Sequence, residues 1–114
     1  MNDKLTLIHN NAAEVSELLK LMAHKDRMVV LCLLSRGEMG VSELREYTQL
    51  SQSAFSQHLG VLRKNEIVKI RKESQQVFYS LADGRVSVLL KAMQQAFCPA
   101  LLPDNESEKQ FKTS

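Results

Sequence analysis

Tryptophan is absent from the 114 residues, aromatic side chains make up only 5% of them, and the chain holds four glycines, two prolines and two cysteines. The glycines never cluster, so no P-loop, G-x-G-x-x-G or G-x-S-x-G pattern exists to cradle a phosphate or present a nucleophile. No C-x-x-C or H-E-x-x-H pair occurs either, which leaves enzyme chemistry without a motif. Two cysteines, Cys32 and Cys98, are too few for a disulfide framework and are read as buried thiols or as redox groups. Long apolar runs are missing as well. The longest, Met28 to Leu34, has seven members against the ~20 needed to span a bilayer, and the opening Met1-Asn2-Asp3-Lys4 lacks a secretory leader pattern. A single cytoplasmic domain with no membrane partner is expected, since domains typically run ~100–200 residues. Neither sign of charge dominates: fifteen basic and thirteen acidic side chains leave +2. The surplus is local, because residues 51–85 carry Arg63, Lys64, Lys69, Arg71, Lys72 and Arg85 against Glu66, Glu73 and Asp83, six against three, a net +3.

What is present is periodicity. Val15, Leu18, Leu19 and Met22 fall at i, i+3, i+4 and i+7, an amphipathic stripe that predicts a helix from about Asn11 to Ala23. Asp26 can cap a second helix through the all-apolar Met28–Leu34 run, closed by Gly37; a helix apolar all round belongs at the centre. Leu44 and Tyr47 mark a short third segment over 41–47, and Thr48-Gln49-Leu50 reads as a tight turn before Ser51, a good N-cap. Phe55, Leu59 and Leu62 then repeat at i, i+4 and i+7, giving a fourth helix to about Lys64. Beyond Asn65 the period changes to two: Val68 and Ile70, then Val77, Tyr79 and Leu81, flank the polar link 72–76 as a hairpin, with Phe78 breaking the alternation. Asp83 can cap a fifth helix bearing Val86, Leu89, Leu90, Met93 and Phe97, which Pro99 ends. The chain therefore divides into an N-terminal segment 1–10, a domain over 11–98, and a polar tail 99–114 expected to be disordered.

The fold class is mainly α with a β-hairpin wing, the element order of a winged helix-turn-helix, in which the second helix of the pair puts its N-terminal residues at base edges. Ser51, Gln52, Ser53, Ser56 and Gln57 are short or amide side chains in its first turns, and a Gln amide can pair bidentately with adenine. Arg63, Lys64, Lys69, Arg71 and Lys72, with Gln75 at the hairpin tip, can contact the phosphate backbone, adding affinity without base information. The plainer alternative is a solvated amphipathic helix followed by an ordinary charged hairpin. His58 is open between a DNA contact and packing at the helix edge. The methionines read as core filler, and His9 and His24 lie too far from other ligand types in sequence to propose a metal site.

The run from Leu50 to Arg63 (Leu-Ser-Gln-Ser-Ala-Phe-Ser-Gln-His-Leu-Gly-Val-Leu-Arg), with Ala23-His24-Lys25-Asp26-Arg27 ahead and Val77-Phe78-Tyr79-Ser80-Leu81 behind, resembles the ArsR family of bacterial winged-helix repressors over residues 11–98. The resemblance implies a homodimer, paired through the first and last helices, on a near-palindromic double-stranded operator until an inducer lowers its affinity. The apolar stripe of the last helix agrees, since a winged motif alone needs no such face. The arsenic-type inducer site needs clustered thiols where this chain has Met39 to Arg45. The zinc-type site wants histidine where Arg85 stands, so neither site can be completed. The remaining pair, Cys32 and Cys98, resembles that of the HlyU, BigR and SqrR subgroup, in which two such cysteines react with persulfides or other reactive sulfur species to form a disulfide or polysulfide link. By that resemblance they are the redox-sensing site, with no cofactor required. Against it, an apolar surround for Cys32 and a helix C-terminus for Cys98 both disfavour a thiolate. Other expectations kept open are a metal-responsive repressor with an unrecognised Cys/His site, a derepressor that displaces another DNA-binding protein, and a small thiol enzyme.

Overall fold

The computed structural model describes residues 3–97. Five helices and a small sheet follow one another as α1 (Asp3–Met22), α2 (Lys25–Leu34), β1 (Met39–Gly40), α3 (Val41–Thr48), α4 (Gln52–Lys64), β2 (Val68–Glu73), β3 (Gln76–Leu81) and α5 (Gly84–Phe97). This is the winged helix-turn-helix expected, with α3 and α4 as the paired helices and β2–β3 as the wing. Among the described residues, no helix is long and apolar enough to cross a membrane.

Three local expectations are corrected. The first helix begins at Asp3, so residues 3–10 of the expected N-terminal segment belong to α1. Leu5, Ile8, Ala12, Val15 and Leu19 continue its stripe at alternating steps of three and four, and Asp3 suits the positive helix start. The cap of α2 is His24 rather than Asp26: the backbone N–H of Asp26 donates to His24 Nδ1 at 3.2 Å, leaving Asp26 inside the first turn. The wing link is shorter than the five residues expected, because Glu73 pairs with Gln76 across a Ser74-Gln75 turn with Ser74 at φ 56.

Elsewhere the local signals hold. Ser51 Oγ accepts from the Ala54 N–H at 3.1 Å and opens α4. The α3–α4 turn is made by Gln49 in the left-handed region at φ 59, its N–H donating to the Arg45 carbonyl. Asp83 Oδ1 accepts from the Arg85 N–H at 2.9 Å ahead of α5. A strand the sequence did not announce, the two-residue β1, pairs antiparallel with β3 and sets Gly40 opposite Phe78. That pairing covers the free edge of β3, and the Phe78 ring lies alongside Gly40.

The core gathers Met22, Val30, Leu31, Leu34 and Leu44 beneath Phe55, Leu59 and Leu62 of α4, with Ile67 and Val68 from the wing base and Val86 and Leu90 from α5. The terminal helices are only half used. In α1 the core takes Leu18 and Met22, while Leu5, Leu7, Ile8, Val15 and Leu19 are exposed; α5 leaves out Val88 and Phe97, the latter 82% exposed. Arg85 spans the two helices, donating to Glu14 Oε2 at 2.9 Å.

Candidate nucleic-acid interface and thiol site

Helix α4 divides along its length. Phe55, Leu59 and Leu62 face the core, and Gln52, Ser53, Ser56, Gln57, Arg63 and Lys64 are all exposed, so the structure brings the expected base-reading and phosphate-contacting side chains of α4 onto its outer surface. No acidic residue sits in its first turn, and Ser51, also exposed, leaves the N-terminal end open. A helix start of this kind favours an anion such as a backbone phosphate.

His58 does not belong to that surface. It is 8% exposed, with its ring 4.3 Å from that of His24. Arg27 Nε donates to His58 Nδ1 at 3.3 Å, Arg27 Nη1 donates to the Leu21 carbonyl at 3.1 Å, and His58 Nε2 faces Asp26 Oδ2 at 3.8 Å. Of the two roles open for His58, packing is the one found: the side chain pins the α1–α2 corner to the inner face of α4. Burial pushes its imidazole below the usual value, His24 and Arg27 act in the same direction, and Asp26 opposes them.

His24, Asp26 and His58 are also the one group among the described residues whose donor atoms lie close enough to hold a metal, within 4.8 Å of one another. Sequence separation hid them. The donor set fits an ion poorly, however. Nδ1 of both rings is occupied as an acceptor, so each neutral imidazole carries its proton on Nε2 and neither remaining nitrogen offers a lone pair.

On the wing, Lys69, Lys72 and Gln75 are exposed, with Lys69 and Lys72 on opposite faces of β2 because strand side chains alternate. Arg71 is committed elsewhere. Its guanidinium donates to both oxygens of Glu38 at 3.0 and 2.8 Å and to Glu73 Oε2 at 3.2 Å, and its carbon lies 4.6 Å from the centre of the Phe78 ring. Hydrogen bonding to Glu38 raises the Arg71 pKa further and lowers that of Glu38. Arg71 therefore braces the wing against the segment before β1, and its charge is largely balanced before any phosphate arrives.

Cys32 is half-buried on the side of α2 that meets α5. Ser35 Oγ donates to the Cys32 carbonyl at 2.6 Å, and Gln94 Nε2 of α5 donates to Ser35 Oγ at 3.1 Å, a relay that joins the two helices beside the thiol. Cys98 lies outside the described residues.

With this geometry in place, comparison with known proteins is decisive. Residues 24–69, from the α2 cap into the wing, match the family described as bacterial regulatory protein, arsR family. The chain is 41% identical to the transcriptional activator HlyU of Vibrio cholerae, over 82% of this chain and 86% of that protein. The chain belongs to the ArsR family. It is also 40% identical to the biofilm growth-associated repressor of Agrobacterium fabrum, over 82% of this chain and 80% of that one. A crystal structure of the transcriptional regulator HlyU from Vibrio vulnificus superposes with a TM-score of 0.79 at 41% identity, covering 83% of this chain and 99% of that one. This ArsR-family chain is thus a DNA-binding transcriptional regulator of the HlyU and BigR type and not an enzyme.

Proposed function

We propose that the protein acts as a homodimeric repressor that seats α4 of each protomer in successive major grooves of a near-palindromic operator, about 34–36 Å apart, with the wings along the flanking backbone. The observation that carries this reading is the split of α4, core on one side and exposed polar side chains on the other. The exposed apolar residues of α1 and α5 support pairing of two copies through those helices, since monomeric surfaces rarely leave such faces open.

We further infer that Cys32 and Cys98 form the sensing pair. Support comes from the position of Cys32 on the side of α2 that meets α5, the helix after which Cys98 follows directly in the sequence. The chemistry balances with a persulfide as oxidant. A thiol takes the outer sulfur of R–S–SH to give Cys–S–SH and R–SH, then the second thiolate attacks the inner sulfur, forming the disulfide and releasing hydrogen sulfide. A tenfold to hundredfold loss of operator affinity requires only ~1.4–2.8 kcal/mol of preference between linked and unlinked states. Because relatives are named both activator and repressor, displacement of another DNA-binding protein is the second reading.

The test is an operator titration at fixed salt with protein reduced, persulfide-treated and diamide-oxidised, alongside mass analysis of the cysteine peptides. Release should accompany a Cys32–Cys98 link, and Cys32→Ser and Cys98→Ser should both stay bound. Release that persists in both single variants refutes the sensing pair.

A further inference from the structure

Between α2 and α5 runs a cavity of about 430 Å³, within the range of small-molecule sites. One face of α2 lines it at helical steps of three and four, with Met28, Val29 and Leu33 as its wall, Cys32 midway, and Lys25 and Arg36 at its two ends. Lys25 opens the ten-residue α2, about 15 Å long, and Arg36 lies in the turn just past its end, so the two positions stand at opposite ends of the helix. Neither joins an ion pair among the described residues.

The opposite wall supplies an independent observation. Gln94 is 6% exposed and lines the trough. Ser35 Oγ has spent its proton on the Cys32 carbonyl, so the Gln94 atom it meets must be the donating amide nitrogen. The other amide atom, Oε1, is a buried acceptor with no donor among the described residues.

We propose that this trough binds an apolar-bodied monoanion, a medium-chain carboxylate, with its head group at Lys25, its chain over Cys32, and its far end beside Gln94. The head belongs at Lys25 because the acceptor oxygen of Gln94, near Ser35 and the Arg36 end, repels a second anion. A ligand carrying a hydroxyl at its far end gives Oε1 the donor it lacks. An occupied trough also covers the Cys32 thiol. The site requires no link to Cys98, so it stands or falls separately from the sensing pair.

The test uses the full chain carrying Cys98→Ser, in which Cys32 is the one remaining thiol. Maleimide alkylation of Cys32 is timed against sodium dodecanoate and 12-hydroxydodecanoate below their micelle concentrations, with the Met28 methyl followed by NMR. Dodecanoate should slow alkylation at least tenfold at saturation and shift Met28. Lys25→Glu should weaken binding tenfold or more, Arg36→Glu less, and 12-hydroxydodecanoate should bind several-fold tighter than dodecanoate unless Gln94→Leu is present. Dodecyltrimethylammonium should regain the protection in Lys25→Glu. Equal protection with and without Lys25 means adventitious apolar adhesion only and overturns the proposal, as does an unmoved Met28. It is also overturned if the thiol is already shielded without ligand and is freed by removing residues 100–114, or by dilution, since the occupant is then the chain's own end or a second copy.

Discussion

Helices α2 and α4 both cross the centre of the molecule, and both leave one side uncovered, yet the two exposures mean different things. The uncovered side of α4 is polar and hydrogen-bonding, stable in water and ready to exchange that water for base edges. The uncovered side of α2 is apolar, with Val29 exposed and Met28, Cys32 and Leu33 half-buried, and water is a poor partner for it. The α2 and α4 surfaces are separate faces of one scaffold, and the His24–Arg27–His58 cluster, of which only His58 is buried, is the polar contact that ties the two helices.

The largest effect expected is on the shared core. Leu62 is fully buried, and Leu62→Ala should cost ~2–5 kcal/mol by denaturant titration, lowering DNA binding only through loss of folded protein. If the outer face of α4 is the reading surface, Gln52→Ala and Gln57→Ala behave in the opposite way. Each should lose ~1–3 kcal/mol of discrimination against altered half-sites in competition binding, with melting temperature unchanged. Loss of stability in place of specificity would show that these amides serve the fold.

The tie between the two helices has a sign that pH can read. The folded pKa of His58 lies below its unfolded value, so the stabilising contribution is complete above the ordinary imidazole value near 6.5 and is lost as pH falls through the folded one. Protonation puts a hydrogen on Nδ1, facing the Arg27 guanidinium, and removes the acceptor. Melting temperature should therefore fall between pH 7.5 and 5 by more in the native chain than in His58→Gln; parallel curves would sink the assignment. The smallest effect is expected on the wing. Lys72→Ala should reduce the salt slope of operator binding by about one, and Glu38→Ala, by leaving Arg71 paired with Glu73 alone, should raise it by up to about one. An unchanged slope in Glu38→Ala would mean that Arg71 is no nearer the DNA once released.

Signals confined to one turn or one period were legible in the chain: the Ser51 cap, the Phe55-Leu59-Leu62 stripe and the period-two wing each express a local preference of the backbone. The start of α1 is not legible in Val15, Leu18, Leu19 and Met22 alone, because the alternating steps that extend the helix reach back through Ala12 and Ile8 to Leu5. The role of His58 is not legible in the sequence, because its helical position borders both faces of α4. Its neighbours His24 and Arg27 lie 34 and 31 positions earlier, and the phase of a helix does not tell what the rest of the chain brings against it.

The sequence alone determined the order of the five helices and the hairpin, the polar face of α4 and the surplus of positive charge around the wing, because periodicity, capping and charge belong to residues close together along the chain. Only the tertiary structure decided that Arg71 is bound to Glu38, that His58 is a buried tie, and that Cys32 opens on an apolar trough walled by Gln94. Those outcomes depend on which distant side chains share a space, and contact across sequence separations of 33, 31 or 59 is set by packing the whole core at once.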